Sequence, residues 1–272
     1  MKTVSAAEIR SRLTSLITDC LITPDKCVTE KLRKIDDAPA ATVAARLIAE
    51  NNDIAEKERI YACQDTGQAV FFVKLGDEVS CAGLHDAIVE ATRDAYRTAR
   101  KSVADPLTRE NTHDNTPPII ETELVSGDIL EISYLAKGAG SENMTKLYML
   151  TPAAGKDGSV RSVVDAVEKG GRNACPPLVV GVGIGGVSET ACRLSKLALL
   201  RPLGESNDRS DVADLERIML DKVNALGIGV AALGGKTTAL AVNIEVAPTH
   251  IGMLPVAVNL QCHSLRHGTV KF

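Results

Sequence analysis

The chain contains no tryptophan, and its three phenylalanines and four tyrosines bring aromatics to only 3% of 272 residues. An apolar interior must therefore be assembled from Val, Leu, Ile and Ala, and a hydrophobic content of 44% is normal for a globular chain. A basic excess is also missing. The formal net charge of -4 argues against a general nucleic-acid binder, although a few local Arg and Lys suffice to hold an anionic small molecule. No uninterrupted apolar run has the length of a membrane span, and the opening MKTVSAAEIRSRL lacks the apolar centre of a signal peptide. A disulfide framework is disfavoured too, because the seven cysteines are odd in number and widely dispersed. They remain as buried thiols, metal ligands or catalytic groups in a soluble, reduced, cytoplasmic protein.

What is present alternates between two periods. SAAEIRSRLTSLITDCLI opens with Ser5 three residues before Glu8, a capping-box pattern, and carries Ile9, Leu13, Leu16 and Ile17 at helical spacing. Further helices are expected over roughly 25–36 and 38–52, then a long one over GLHDAIVEATRDAYRTARKSVA, and others near 160–171, in SETACRLSKLALLRPL and in DVADLERIMLDKVNALG. Strands are expected in AVFFVKL, IIETELV, DILEISYLAKGAG, PLVVGVGIGG, ALAVNIEVA and MLPVAVNLQC, with a Ser-Gly-Asp turn joining the second and third as a hairpin-like pair. ADPLTRENTHDNTPP reads as loop. With no repeat, linker or clean boundary, the expectation is one mixed α/β (α+β) domain over 1–272. It has a helical N-terminal region and mixed sheets flanked by helices.

Three motifs suggest chemistry that their context does not support. Gly181, Gly183 and Gly186 form G-x-G-x-x-G after a strand, but RPLGESNDRSD follows where a dinucleotide fold needs a second strand ending in an acid. Close packing, or backbone approach to another ligand, fits these glycines better. ALGGKTT resembles a phosphate loop, yet Val230 stands where the leading glycine belongs. CHSLRH offers Cys262, His263 and His267, with zinc spacing only if helical; a solvated basic tail is the alternative.

Three thiols share a setting that the others lack. Cys63, in ACQDTG, and Cys175, in NACPP, each precede a strand, and Cys262 closes one. Cys20 and Cys192 lie inside amphipathic helices, where a thiol is usually a small hydrophobe. Spacings of 112 and 87 residues match no local zinc or ferredoxin pattern.

ACQDTG, RKS..DPLTRENT..NTP, AKGAGSEN, NACPPLVVGVGIGG with SETA, and LGIG..LGGK occur in that order. Together they closely resemble the alpha subunit, or N-terminal catalytic domain, of the class I iron-sulfur hydro-lyases, fumarate hydratase and L(+)-tartrate dehydratase. The resemblance runs from about residue 8 to 270. It implies a [4Fe-4S] cluster held by Cys63, Cys175 and Cys262; three thiolates leave one iron open, as Lewis-acid catalysis requires. It implies that Gln64, Asp65, Arg100 and the Gly140 backbone amide bind a dicarboxylate, with Asp65 handling a proton. Lys137 and Ser141 are weaker candidates, and Arg109 pins a loop or a subunit contact. His250, twelve residues before Cys262, matches a family histidine that meets substrate or water.

The implied reaction is reversible hydration of fumarate to (S)-malate, with tartrate dehydration or a non-catalytic iron-sulfur role as alternatives. Because single-chain members continue into a second domain, a chain ending at Phe272 is expected to need a beta subunit, in a dimer of alpha-beta pairs. No nucleic-acid or membrane partner is expected.

Overall fold

Residues 1–272 are described by the structure, a computed structural model. In chain order the N-terminal elements are β1 (Lys2–Thr3), α1 (Ala6–Ile22), α2 (Lys26–Arg33), α3 (Pro39–Glu58), β2 (Gln68–Gly76) and β3 (Val79–Ser80). The middle holds α4 (Leu84–Ala95), β4 (Ile119–Val125), β5 (Leu130–Lys137), α5 (Ala139–Glu142), β6 (Lys146–Leu150) and α6 (Gly155–Gly170). The C-terminal part holds β7 (Leu178–Gly186), α7 (Ser188–Leu197), α8 (Ser210–Asn224), β8 (Ala239–Thr249), β9 (Leu254–Gln261) and β10 (His267–Lys271). The chain is thus mixed α/β. It divides into two compact units, each discontinuous in sequence: 1–25, 52–139 and 266–272 form the first, and 26–51 with 140–265 the second. No helix is long and apolar enough to cross a membrane.

In the first unit the capping box is formed: Ser5 Oγ accepts the Glu8 amide at 3.2 Å. Ile9, Leu13 and Ile17 then pack with Ile88 and Ala91 of α4 onto Phe71, Ile132 and Tyr134 of the sheet. That sheet has the order β10-β5-β2-β4. Here the expected hairpin is corrected. β4 and β5 do not pair; β2 lies between them, parallel to β4 and antiparallel to β5. The Ser-Gly-Asp turn instead wraps the end of β2, where Asp77 N donates to Val125 O and Glu78 N to Gly127 O. The long helix after Gly83 is also shorter than its periodicity suggests. It stops at Ala95 because the Lys101 ammonium folds back onto the carbonyls of Tyr96, Arg97 and Ala99 at 2.5, 2.9 and 3.0 Å. A cation there satisfies acceptors that a continuing helix would have used. The C-terminal CHSLRH segment is neither helical nor a solvated tail. It leads into β10, paired antiparallel with β5, and His267 sits 3.3 Å from Asp25.

The second unit has a sheet of order β6-β9-β7-β8. Alternation along β7 sends Leu178, Val180 and Val182 towards Val163, Val167, Met219 and Val223 of α6 and α8. The intervening glycines face α7. A Cβ on Gly181 would stand 2.0 Å from Ser195 O, and one on Gly183 2.0 Å from Ala191 O. The G-x-G run therefore lets a helix lie directly on a strand, and a nucleotide has no part in explaining it. The ALGGKTT turn is explained the same way. Its amides at Lys236 and Thr237 donate to the Asp37 carboxylate at 2.9 and 2.8 Å, so the protein's own acid occupies the place a phosphate would need.

Candidate functional site

In the first unit the residues from Cys63 to Gly67 form a loop whose course is fixed on both sides. Ala62 N donates to Leu21 O of α1 at 3.2 Å, and Tyr96 OH donates to Thr66 O at 3.2 Å. Between these ties Cys63 and Asp65 are half-buried and Gln64 is exposed. The Asp65 carboxylate is clamped by two main-chain donors, Gly67 N on Oδ1 at 3.0 Å and Ala139 N on Oδ2 at 2.9 Å. Gly67 is needed for the return: its φ is +71°, and a Cβ there would meet Lys137 N at 3.0 Å. Thr66 Oγ1 and Asn115 Nδ2 both donate to Arg100 O at 3.0 Å, which places the exposed Arg100 beside the same loop. Cys63, Gln64, Asp65 and the Arg100 backbone thus lie on segments joined by hydrogen bonds between side chains and main chain. Arg109 lies further along, exposed and left-handed at φ 63°, its amide bonded to Asp105 O. Asp105 shapes that loop by accepting the Leu107 and Thr108 amides.

In the second unit Cys175 and Cys262 come to one end of the sheet. β7 begins three residues after Cys175, β9 ends one residue before Cys262, and Val179 pairs with Gln261 across the antiparallel ladder. His263 N donates to Cys175 O at 3.3 Å, joining the two loops directly. Cys175 is exposed and left-handed at φ 54°, a conformation that costs a non-glycine residue of the order of 1 kcal/mol or more and is commonest where function requires it. Gln261, fully buried, donates from Nε2 to Cys262 Sγ at 3.5 Å. The adjoining turn is held by Ala231 N on Pro176 O at 2.8 Å. Gly140 lies near this end, its Cβ position 3.5 Å from Asn173 O, and Ser141 beside it is buried. No three His, Cys, Asp or Glu side chains are grouped to hold a single metal ion.

The remaining cysteines differ chemically. Burial pushes the Cys20 thiol up to about 12, and it also raises Cys81 and Cys192. Such groups stay protonated and serve poorly as metal ligands. By contrast, the donors at 63, 175 and 262 sit on loops, partly or fully accessible, with an amide N–H directed at one sulfur. This donor set suits an iron-sulfur cluster, which is held by thiolates and tuned by N–H···S bonds.

His250 is not brought to the cysteine end. It follows β8 and precedes β9, whereas Cys262 lies beyond the opposite end of β9. Eight extended residues at about 3.3 Å each separate them by roughly 25 Å. Its Nδ1 accepts Gly252 N at 3.1 Å, and its ring lines a cavity of about 410 Å³ with Lys156, Ile184, Val212, Leu215 and Val246.

The chain matches the family model described as fumarate hydratase (fumerase) over residues 11–271. It belongs to that family. A provisionally named L(+)-tartrate dehydratase subunit alpha of Methanocaldococcus jannaschii is 39% identical over 248 positions, covering 87% of each chain. The L(+)-tartrate dehydratase subunit alpha of Escherichia coli strain UTI89 is 33% identical over 274 positions, 97% of this chain and 89% of its own. The same-named protein of Shigella sonnei gives 33% over 273 positions, with the same coverage. The family member described here is therefore an enzyme, a hydro-lyase of the alpha-subunit type.

Proposed function

We propose that this chain is the alpha subunit of a two-component class I hydro-lyase that reversibly hydrates fumarate to (S)-malate. The observation that carries the reading is the Cys63–Asp65 loop. It puts a thiol next to a carboxylate clamped by Gly67 N and Ala139 N, with Arg100 tied to the same loop.

Cys63, Cys175 and Cys262 would hold a [4Fe-4S] cluster. When bound, that cluster supplies a Lewis acid at the iron lacking a protein ligand. The chain's own residues do the rest. Arg100 offers a fork of donors to a substrate carboxylate, and the Gln64 amide and Gly140 N–H add neutral donors. These groups stabilise the charge that builds on the carboxylate when its α-proton leaves, which is the costly part of dehydrating a hydroxy acid. The two clamps on Asp65 fix the plane of its carboxylate and leave lone pairs on Oδ1 and Oδ2 to take or return a proton. His250 is left out of this centre, since the strand separation in its own unit keeps it from Cys175 and Cys262.

Two further statements belong to this reading. The relatives are named alpha subunits, which supports a beta subunit completing the active site; a dimer of alpha-beta pairs is the assembly this reading expects. Their names also favour a second substrate, L-tartrate, whose dehydration gives an enol that becomes oxaloacetate. Anaerobic reconstitution of the chain with iron and sulfide, with and without its partner, followed by steady-state kinetics on fumarate and L-tartrate, tests both points. Full turnover by the partner-free chain would reject the split site, and a higher kcat/KM for tartrate would move the substrate assignment.

A further inference from the structure

Arg266 heads the fully buried side chains of the protein, at 1% exposure. A buried guanidinium is normally surrounded by acceptors, because an uncompensated buried charge costs several kcal/mol. Arg201 shows how this fold treats a structural one. Its nitrogens reach Glu216 Oε1 at 2.6 Å, Glu245 Oε1 at 2.8 Å and Ile244 O at 2.7 Å. Arg266 has nothing comparable. Its Nε has no hydrogen-bond partner, and its side chain makes no ion pair; only its carbonyl is engaged, by Ala136 N at 2.9 Å.

Arg266 lies in the first unit, where its carbonyl accepts Ala136 N and Ala136 packs against the Gly67 turn of the loop. Tyr96 and Tyr134, whose hydroxyls meet at 2.6 Å, and Cys20 of α1 are near enough to feel its charge. Burial pushes the Tyr96 phenol up to about 12, and the Arg266 charge pulls against that rise. Groups within reach of the Arg266 charge also tether the Cys63–Asp65 loop. Tyr96 OH bonds Thr66 O, and Leu21, next to Cys20, accepts Ala62 N. Asp65 is already clamped by the Gly67 and Ala139 amides and forms no ion pair with Arg266.

We propose that Arg266 is the buried cationic half of an anion site beneath the Cys63–Asp65 loop, completed when an anion binds there. The chemistry required is a carboxylate or an equivalent delocalised anion. Two sources offer it under the function proposed above, on which this inference rests: a substrate carboxylate, or the cluster, which carries net negative charge with three thiolates.

The test uses full-length wild type, Arg266→Lys, which keeps the charge and loses the fork, and Arg266→Met, which loses both. Apo chains are melted with and without succinate or sulfate. Iron and sulfide per chain are measured after anaerobic reconstitution, and the fumarate KM is measured with the beta partner present. A substrate source predicts that succinate stabilises apo wild type but not the variants, and that KM rises roughly tenfold in Arg266→Lys at unchanged iron content. A cluster source predicts that iron and sulfide fall by more than about half in Arg266→Met while KM per loaded enzyme holds. Either result supports the site. Wild-type iron content, KM and succinate response in both variants, or a loss of melting temperature equal with and without anion, would overturn it. If Arg266→Met does not fold, the same readings on Arg266→Lys decide. If wild type itself neither loads iron nor hydrates fumarate, the functional reading fails, and the apo melts with succinate and sulfate still decide the anion site.

Discussion

The two ends of the second unit's sheet are built from the same strands and have opposite characters. At one end lie Cys175 and Cys262, on short loops tied by His263 N and Ala231 N, with a left-handed backbone at Cys175. At the other lies the 410 Å³ cavity, walled mostly by aliphatic side chains, with His250 at its rim. A large apolar pocket is the usual first guess for an active site. Here the pocket combines an aliphatic wall with Lys156, Arg209, Asp211 and His250 and holds no thiol, while the other end carries two sulfur donors on loops. Under the function proposed above, strain and sulfur donors, and not volume, mark the end that would hold the cluster.

The largest effect expected from this contrast is on metal loading. Cys63→Ser, Cys175→Ser or Cys262→Ser should lower iron and sulfide per chain at least about tenfold after anaerobic reconstitution, because a cluster needs all three thiolates. His250→Ala should leave both contents at the wild-type level. Equal loss in both sets would erase the distinction between the two ends.

Next comes Asp65. Asp65→Asn, assayed with the beta partner, should lower kcat by roughly 10²–10⁴ while iron content stays unchanged, as loss of a general acid or base does. Unchanged kcat would reduce Asp65 to a turn residue.

Gly183→Ala sharpens the comparison along β7 itself. A methyl group 2.0 Å from Ala191 O must push α7 off the strand, at about 1–3 kcal/mol in a denaturant titration. The same protein should show no nicotinamide binding in a cofactor titration, with or without the substitution.

The smallest effect concerns Asp37. Burial acts to raise its carboxyl pKa, but the amides of Lys236, Ala38 and Thr237 outweigh burial and hold it below the ordinary value. The stability this contributes is present above the unfolded carboxyl pKa near 3.9 and is lost as pH falls towards the lower folded value. Asp37→Asn should therefore lower the melting temperature by a few degrees at neutral pH, with the gap closing below about pH 4. A gap independent of pH would assign the effect to packing instead.

Local features of this fold are legible in its sequence, and non-local ones are not. The Ser5–Glu8 box gives α1 its start, and the glycines of PLVVGVGIGG already favoured close packing over a nucleotide. The order of β4 and β5 around β2 depends on pairings between distant segments, so a turn between two strands could not reveal it. The end of α4 depends on one lysine folding back from position 101, which periodicity does not register. Both units are assembled from separated stretches, so no boundary appears in composition. The strand-border setting of Cys175 and Cys262 is legible in the sequence, because each thiol adjoins an apolar strand-like run. His250 rests on the family match, and β9 places it at the end of the strand opposite to Cys262, a separation that a one-dimensional match does not display. Arg266 left no readable trace, since a charge in a polar tail normally signals solvent.

The most direct measurement is Mössbauer spectroscopy on the anaerobically reconstituted alpha-beta pair, enriched in the iron isotope, with and without fumarate. One iron site of the cluster should change its parameters on substrate addition while the others hold, because three thiolates leave a single site open. A cluster in which no iron responds to fumarate, or chains that take up no cluster at all, would contradict the assignment.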